Sequence, residues 1–281
     1  MVCLSVVIPT YNALDTIVAQ LDSIFGQPRD VEIEVVVADN GSTDGTVAAL
    51  RERYGSEPAF HLVDASQRRG GAHAKNVGVA AAKGEFVGFC DADDLVAADW
   101  VNEIAQAVQI NGVAFVPREY RLLNPGYVGP AYGRARELFG VPVFSGGAFG
   151  CRRDFYLALG GFDDSFLGAV DDEFAIRLFL KFGLVPAEAN TKVHVRLRSD
   201  FQGRLRRAYH LALSRPELAS RFPALAPAQG VRHGLRRWGS LAKRAATLTA
   251  MTRAEQDGLA IMAATASGYL VGSWRARKIF L

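Results

Sequence analysis

Residues Gly84–Leu95 read Gly-Glu-Phe-Val-Gly-Phe-Cys-Asp-Ala-Asp-Asp-Leu: an apolar run, Phe86 to Cys90, ends in three carboxylates, Asp91, Asp93 and Asp94. The run is rich in aromatic and β-favouring residues and reads as a strand buried on both faces. Ligands of open α/β sheets gather outside the carboxyl ends of the strands, where these acids fall. In extended backbone Asp91 and Asp93 point the same way. Like charges that close disfavour each other's ionisation unless a cation offsets them. A hard divalent ion sharing its shell with substrate phosphates would do so. The alternative is an acidic turn that caps the next helix, with Asp94 as N-cap.

Working outward, Leu4–Ile8 is a predicted strand stopped by Pro9, and Leu14–Phe25 a predicted helix. Glu32–Ala38 is a second strand, ending in Asp39-Asn40-Gly41-Ser42-Thr43-Asp44-Gly45, good turn chemistry before a helix over Thr46–Tyr54. A strand over Phe60–Val63 and a small-residue helix over Gly70–Ala82 follow, with Gly78 suited to close packing. Beyond the acidic turn come a helix (Asp99–Gln109), a strand (Val113–Val116), a substrate-covering loop (Asn124–Pro142), a helix over Asp171–Phe182 and a strand over Val193–Leu197. The alternation predicts an α/β fold, a Rossmann-like, mostly parallel sheet flanked by helices. Residues 1–200 are expected to form this domain and residues 201–281 a basic helical C-terminal extension, broken at Pro216, Pro223 and Pro227.

Hydrophobic residues make up 49% of the 281-residue chain and charged residues 22%, which excludes a disordered protein. Three widely spaced cysteines, Cys3, Cys90 and Cys151, fit a reducing cytosol, and no signal peptide is expected. The net charge of +3 divides into −10 over residues 1–190 and +13 over residues 191–281. Arg204, Arg206 and Arg207 form one basic cluster; Arg232, Arg236, Arg237, Lys243 and Arg244 form another. Leu259–Trp274 is uncharged and precedes Arg275, Arg277 and Lys278; it is too short and weakly apolar to span a bilayer. An interfacial helix on an anionic membrane, with Tyr269 and Trp274 at headgroup depth, competes with packing on the α/β domain or a homodimer partner. Nucleic acid is not expected as a partner.

Ser-Val-Val-Ile-Pro-Thr-Tyr-Asn (5–12) and Val-Val-Val-Ala-Asp-Asn-Gly-Ser-Thr-Asp-Gly-Thr (35–46) closely resemble the family-2 glycosyltransferases of the GT-A fold. Ala74-Lys75-Asn76-Val77-Gly78, Asp91-Ala92-Asp93 and Gly160-Gly161-Phe162-Asp163 match in the same order, and the resemblance covers about residues 4 to 200. It implies transfer of a sugar, with inversion, from a nucleoside diphosphate donor, UDP by preference, to a saccharide or lipid-linked hydroxyl, aided by Mg²⁺ or Mn²⁺. Pro9, Thr10, Tyr11, Asp39, Lys75, Asp91 and Ala92 would then bind the nucleotide-sugar, Lys75 standing where the family usually has Arg. Asp93 would ligate the metal, with Asp91 a further candidate ligand, and His194 would complete the site. Arg196 and Arg198, on the same strand face as His194, are candidates for the donor phosphates. In Asp171-Asp172-Glu173-Phe174-Ala175-Ile176-Arg177, registering on Arg177 makes Asp171 the implied general base, with Asp172 the alternative and Val170 in place of the usual Glu. The resemblance also implies cell-envelope polysaccharide or glycolipid synthesis, in the cytoplasm or on the inner face of its membrane. Two other readings remain: a sugar-1-phosphate nucleotidyltransferase and a non-catalytic nucleotide-sugar or polyanion-binding module.

Overall fold

The computed structural model describes residues 3–133, 136–197, 200–226, 238–243, 245 and 251–277. Arg198, Pro227, Arg232, Arg236, Arg237, Arg244 and Lys278, named above, lie outside these. The chain divides into two compact units, Met1–Asp164 with Asp171–Leu197, and Ser165–Val170 with Arg198–Leu281.

The first unit begins with three strand–helix pairs: β1 (Leu4–Thr10), α1 (Ile17–Phe25), β2 (Ile33–Asp39), α2 (Thr46–Tyr54), β3 (Phe60–Asp64) and α3 (Gly71–Ala81). Next come β4 (Phe86–Cys90), β5 (Leu95–Val96), α4 (Trp100–Asn111), β6 (Val113–Phe115), β7 (Arg118–Glu119), β8 (Tyr132–Gly133), β9 (Arg136–Leu138), β10 (Val141–Val143) and β11 (Ala148–Arg152). It closes with α5 (Arg153–Ala158), α6 (Val170–Phe182), whose first residue falls in the second unit, β12 (Ala187–Glu188) and β13 (Val193–His194). A seven-stranded sheet runs β12-β6-β11-β4-β1-β2-β3, with β11 antiparallel to both of its neighbours and the other pairs parallel. A smaller sheet runs β5-β13-β7-β8.

Every residue of β2 and β4 is buried, as expected of strands covered on both faces. One side of the sheet packs Leu21, Ile24, Trp100 and Ile104; Phe89, Phe144, Phe149, Phe162 and Phe174 form a ring cluster with centroids as close as 4.3 Å. Each such side chain contributes about 1.5–3 kcal/mol by leaving water. A Cβ on Gly78 would stand 2.5 Å from Val7 Cγ1, so the small-residue face of α3 lies directly on β1.

Several elements depart from the sequence reading. β1 continues through Pro9 to Thr10, because its pairing with β4 ends at Val7 and the missing proline N–H interrupts no ladder there. α1 starts at Ile17 because Asp44 Oδ2 accepts the Leu14 N–H (3.0 Å) and keeps that residue in the loop. The expected Asn124–Pro142 loop carries β8, β9 and part of β10, the last two forming an antiparallel hairpin. The final strand is two residues long. Residues 91–94 form a turn, closed by the Asp94 N–H to the Asp91 carbonyl (3.4 Å), so the argument from extended backbone does not apply to them. Asp94 caps no helix; Asp99 precedes α4.

The second unit contains α7 (Phe201–Arg221) and α8 (Arg253–Arg275). α7 runs through Pro216 without ending, against expectation. Gly268 and Gly272 of α8 admit the Tyr209 and Leu213 carbonyls to within 2.5 Å and 2.3 Å of where a Cβ would stand. Helix packing of that closeness outweighs the N–H that Pro216 lacks. α8 opens with a reciprocal capping box between Thr252 and Glu255.

Candidate active site

The carboxyl ends of β1, β2 and β4 meet in a set of stitched loops. Thr10 and Asp39 are register partners at the carboxyl ends of β1 and β2. Asp39 Oδ2 accepts the N–H groups of Gly41 and Ser42, both at 3.1 Å, so the carboxylate builds its own turn at the place expected for the base. Asn12 Oδ1 accepts the Thr43 N–H (2.8 Å), and Asn40 Oδ1 accepts that of Gly70 (2.8 Å). Tyr11 is 47% exposed, with the Arg69 guanidinium 5.6 Å from its ring centre. Arg69 was not legible as a site residue in sequence, since nothing in the linear order brings it to Tyr11.

The acidic turn is held from two sides. Gln20, fully buried on α1, donates to the Asp91 carbonyl (3.1 Å) and accepts the Val96 N–H (3.2 Å). Arg196 donates its backbone N–H to Asp94 Oδ1 (2.8 Å) and its Nε–H to the Asp93 carbonyl (3.2 Å). Burial, followed by the Asp91 charge, pushes Asp94 up to about 8, opposed by the Arg196 N–H, while Asp93 raises it further. Asp94 is therefore a structural acid of the turn. Ala92 is buried between the carboxylates.

Lys75 Nζ donates to the Gly146 carbonyl (2.7 Å) and lies 3.4 Å from Asp91 Oδ1. Gly146 returns its N–H to Asp171 Oδ2 (3.0 Å). A Cβ on Gly147 would fall 2.2 Å from Asp91 Oδ2, so the pair 146–147 is the seam between the acidic turn and α6.

The three acids opening α6 separate by environment. Asp172 is fully buried and paired with Arg136 of β9 (3.0 Å). Glu173 is fully buried and grips Arg177 through both oxygens (2.7 and 2.8 Å). Arg177 also donates to the Leu159 and Gly161 carbonyls, and Asn76 brackets Phe162 by its N–H and its carbonyl, both at 2.9 Å. The Gly160–Asp163 motif is thus clasped between α3 and α6. Asp171 is left half-buried, beside Gly146.

His194 Nδ1 stands 2.9 Å from Glu119 Oε2, and the same carboxylate group accepts the Arg121 and Leu122 N–H groups (2.7 and 3.1 Å). Burial opposes ionisation of Glu119, but the His194 and backbone hydrogen bonds win and hold it below the usual carboxylate range. An imidazole oriented by a carboxylate in this way leaves Nε2 as its ligating atom. Among the described residues, no three or more His, Cys, Asp or Glu side chains converge into a preformed cage. The carboxylates of Asp91 and Asp93 are oxygen donors of the kind a hard cation takes when diphosphate oxygens complete its shell, and the imidazole of His194 adds a nitrogen donor.

This sheet, with its acidic turn and opposed acid, is the GT-A arrangement, and the family model described as Glycosyl transferase family 2 matches residues 5–159. The chain belongs to glycosyl transferase family 2. It is 28% identical over 182 residues to a chondroitin synthase of Escherichia coli, covering 62% of this chain and 26% of that protein. It is 38% identical over 97 residues to the uncharacterized glycosyltransferase YfnE of Bacillus subtilis, covering 34% and 24%. The chain therefore spans about a quarter of the length of these relatives. Among solved structures, the mannosyltransferase PcManGT of Pyrobaculum calidifontis, in complex with GDP-Man and Mn²⁺, superposes with TM-score 0.66 at 26% identity, covering 98% of this chain and 86% of that one.

Proposed function

We propose that the chain transfers a sugar from a nucleoside diphosphate donor to a hydroxyl acceptor, with inversion, in the assembly of a polysaccharide or lipid-linked glycan. The observation that carries this is the position of Asp171, half-buried and bonded to Gly146, whose carbonyl takes Lys75 beside Asp91. In this reading Tyr11, Asp39 and Arg69 hold the base, with Pro9, Thr10 and Ala92 lining the donor site. Asp91 and Lys75 take the ribose and diphosphate. Asp93 and His194 are the residues that would hold a divalent ion, with Asp91 as a further ligand; when bound, the ion neutralises charge on the diphosphate leaving group. Asp171 removes the proton of the acceptor hydroxyl. The acceptor oxygen forms its bond to the anomeric carbon as the bond to the β-phosphate oxygen breaks, and that electron pair leaves with the diphosphate.

Uridine diphosphate sugars are the first donors to test and GDP-mannose the next, since the Pyrobaculum calidifontis mannosyltransferase is in complex with it. Release of nucleoside diphosphate supports the reading. Release of pyrophosphate would indicate a nucleotidyltransferase, and no turnover a binding module.

The second unit supports membrane docking. Leu270 and Trp274, one helical turn apart on α8, are 47% and 80% exposed, and Arg275 and Arg277 beyond them are exposed. Tyr269 is half-buried, so Leu270 takes the place beside Trp274 that sequence suggested for the tyrosine. Among the described residues no helix is long and apolar enough to cross a membrane. We read this face as resting on the anionic inner surface of the cytoplasmic membrane, where a lipid-linked acceptor would be presented; a homodimer contact is the alternative.

A further inference from the structure

A cleft of about 850 Å³ opens in the first unit, bounded by the start of α4, the β12–β13 connection and β8. We infer that it is a saccharide-binding subsite for an acceptor chain, which extends the glycosyltransferase reading and rests on it. Its walls are fixed by the sheets. The Ala97 N–H donates to the Lys192 carbonyl (3.1 Å), that of Val193 to Pro117 (3.0 Å) and that of Ala189 to Phe115 (2.9 Å). The Thr191 hydroxyl donates to Asp99 Oδ1 (2.6 Å), tying α4 to the lip.

The lining suits an uncharged polyhydroxyl ligand. Tyr132 is 51% exposed and offers a ring face for the C–H face of a pyranose. Asp99, Glu188, Asn190 and Lys192 supply both acceptors and donors around it. Mixed charge gives no preference for a polyanion, and Asp99 at the N-terminus of α4 repels phosphate from the helix end. The cleft also adjoins the chemistry: Tyr132 is the register partner of Glu119, which orients His194. Lys192 lies two residues, about 7 Å of extended chain, from His194. On this inference the cleft takes the units of the acceptor glycan that lie behind its reacting hydroxyl.

The test is calorimetric titration of the whole chain with cellohexaose and, separately, N-acetylchitohexaose, in saturating UDP and Mn²⁺ so that the donor site is filled. At least one hexasaccharide is expected to bind. Tyr132→Ala should weaken it by about tenfold or more and Tyr132→Phe by less than about threefold, since the ring and not the hydroxyl is used. The UDP affinity of each variant reports an intact fold. No binding of either hexasaccharide, or an affinity that Tyr132→Ala leaves unchanged, overturns the subsite. Failure of UDP to bind the unmodified protein instead strikes the donor reading, and the sugar titration repeated without UDP still decides the cleft.

Discussion

Lys75 and Asp171 are joined through one residue: Lys75 Nζ donates to the Gly146 carbonyl at 2.7 Å, and the Gly146 N–H donates to Asp171 Oδ2 at 3.0 Å. The cation proposed for the donor phosphates and the acid proposed for the acceptor therefore share one residue as their support. A shift of that support moves both.

The neighbouring glycine gives a separable test. Gly147→Ala puts a methyl 2.2 Å from Asp91 Oδ2, but Asp91 is 44% exposed and can swing into water. Global stability should change by less than about 1 kcal/mol, while UDP affinity falls about tenfold. Gly78→Ala, whose methyl meets buried Val7, should do the opposite: a loss of about 1–3 kcal/mol in urea denaturation.

Removing Arg136 leaves the buried Asp172 carboxylate without its ion-pair partner on β9. Arg136→Ala is expected to lower stability by about 1–3 kcal/mol and to raise proteolytic nicking in the β9–β10 hairpin. Unchanged unfolding and digestion would show that this pair is not what fastens the hairpin.

The strands and helices were legible where strong signals bound them. β4 and α2 have the bounds read from sequence, one closed by Gly84 and the acidic turn, the other by Gly45 and Gly55. Pro9 and Pro216 misled, because neighbouring strands and helices, not local preference, decide whether a missing N–H matters. The motifs carrying Asp39, Asp91 and Asp171 could be found by order and spacing. Arg69, Gln20, Glu119 and Arg136 could not: each reaches its partner across 36 to 75 residues of chain, and no local periodicity records such a meeting.

Metal dependence is expected to appear as ligand-linked stabilisation. UDP with Mn²⁺ at about 100 times the dissociation constant should add about 2.7 kcal/mol, removed by chelator and absent in Asp93→Asn. A full shift in the presence of chelator would contradict the assignment of Asp93.

For the second unit, flotation should recover the protein with vesicles containing anionic phospholipid at low salt, less with neutral vesicles, and little at high salt. Trp274→Ala should reduce recovery several-fold. Equal recovery with both vesicle types, or with neither, would leave α8 as a surface for another protein chain.

The central claim is that Asp171, and not its neighbour, is the general base. Asp171→Asn should reduce turnover by at least about 100-fold while UDP-sugar affinity stays within about threefold, because a base acts on the acceptor in the transition state. Asp172→Asn, by contrast, should lower stability and leave measurable transfer. The direct measurement is single-turnover nucleoside diphosphate release by both variants, with donor affinity taken on the same samples. Loss confined to Asp171→Asn is the predicted result; near-normal release by Asp171→Asn, or loss confined to Asp172→Asn, would contradict the account.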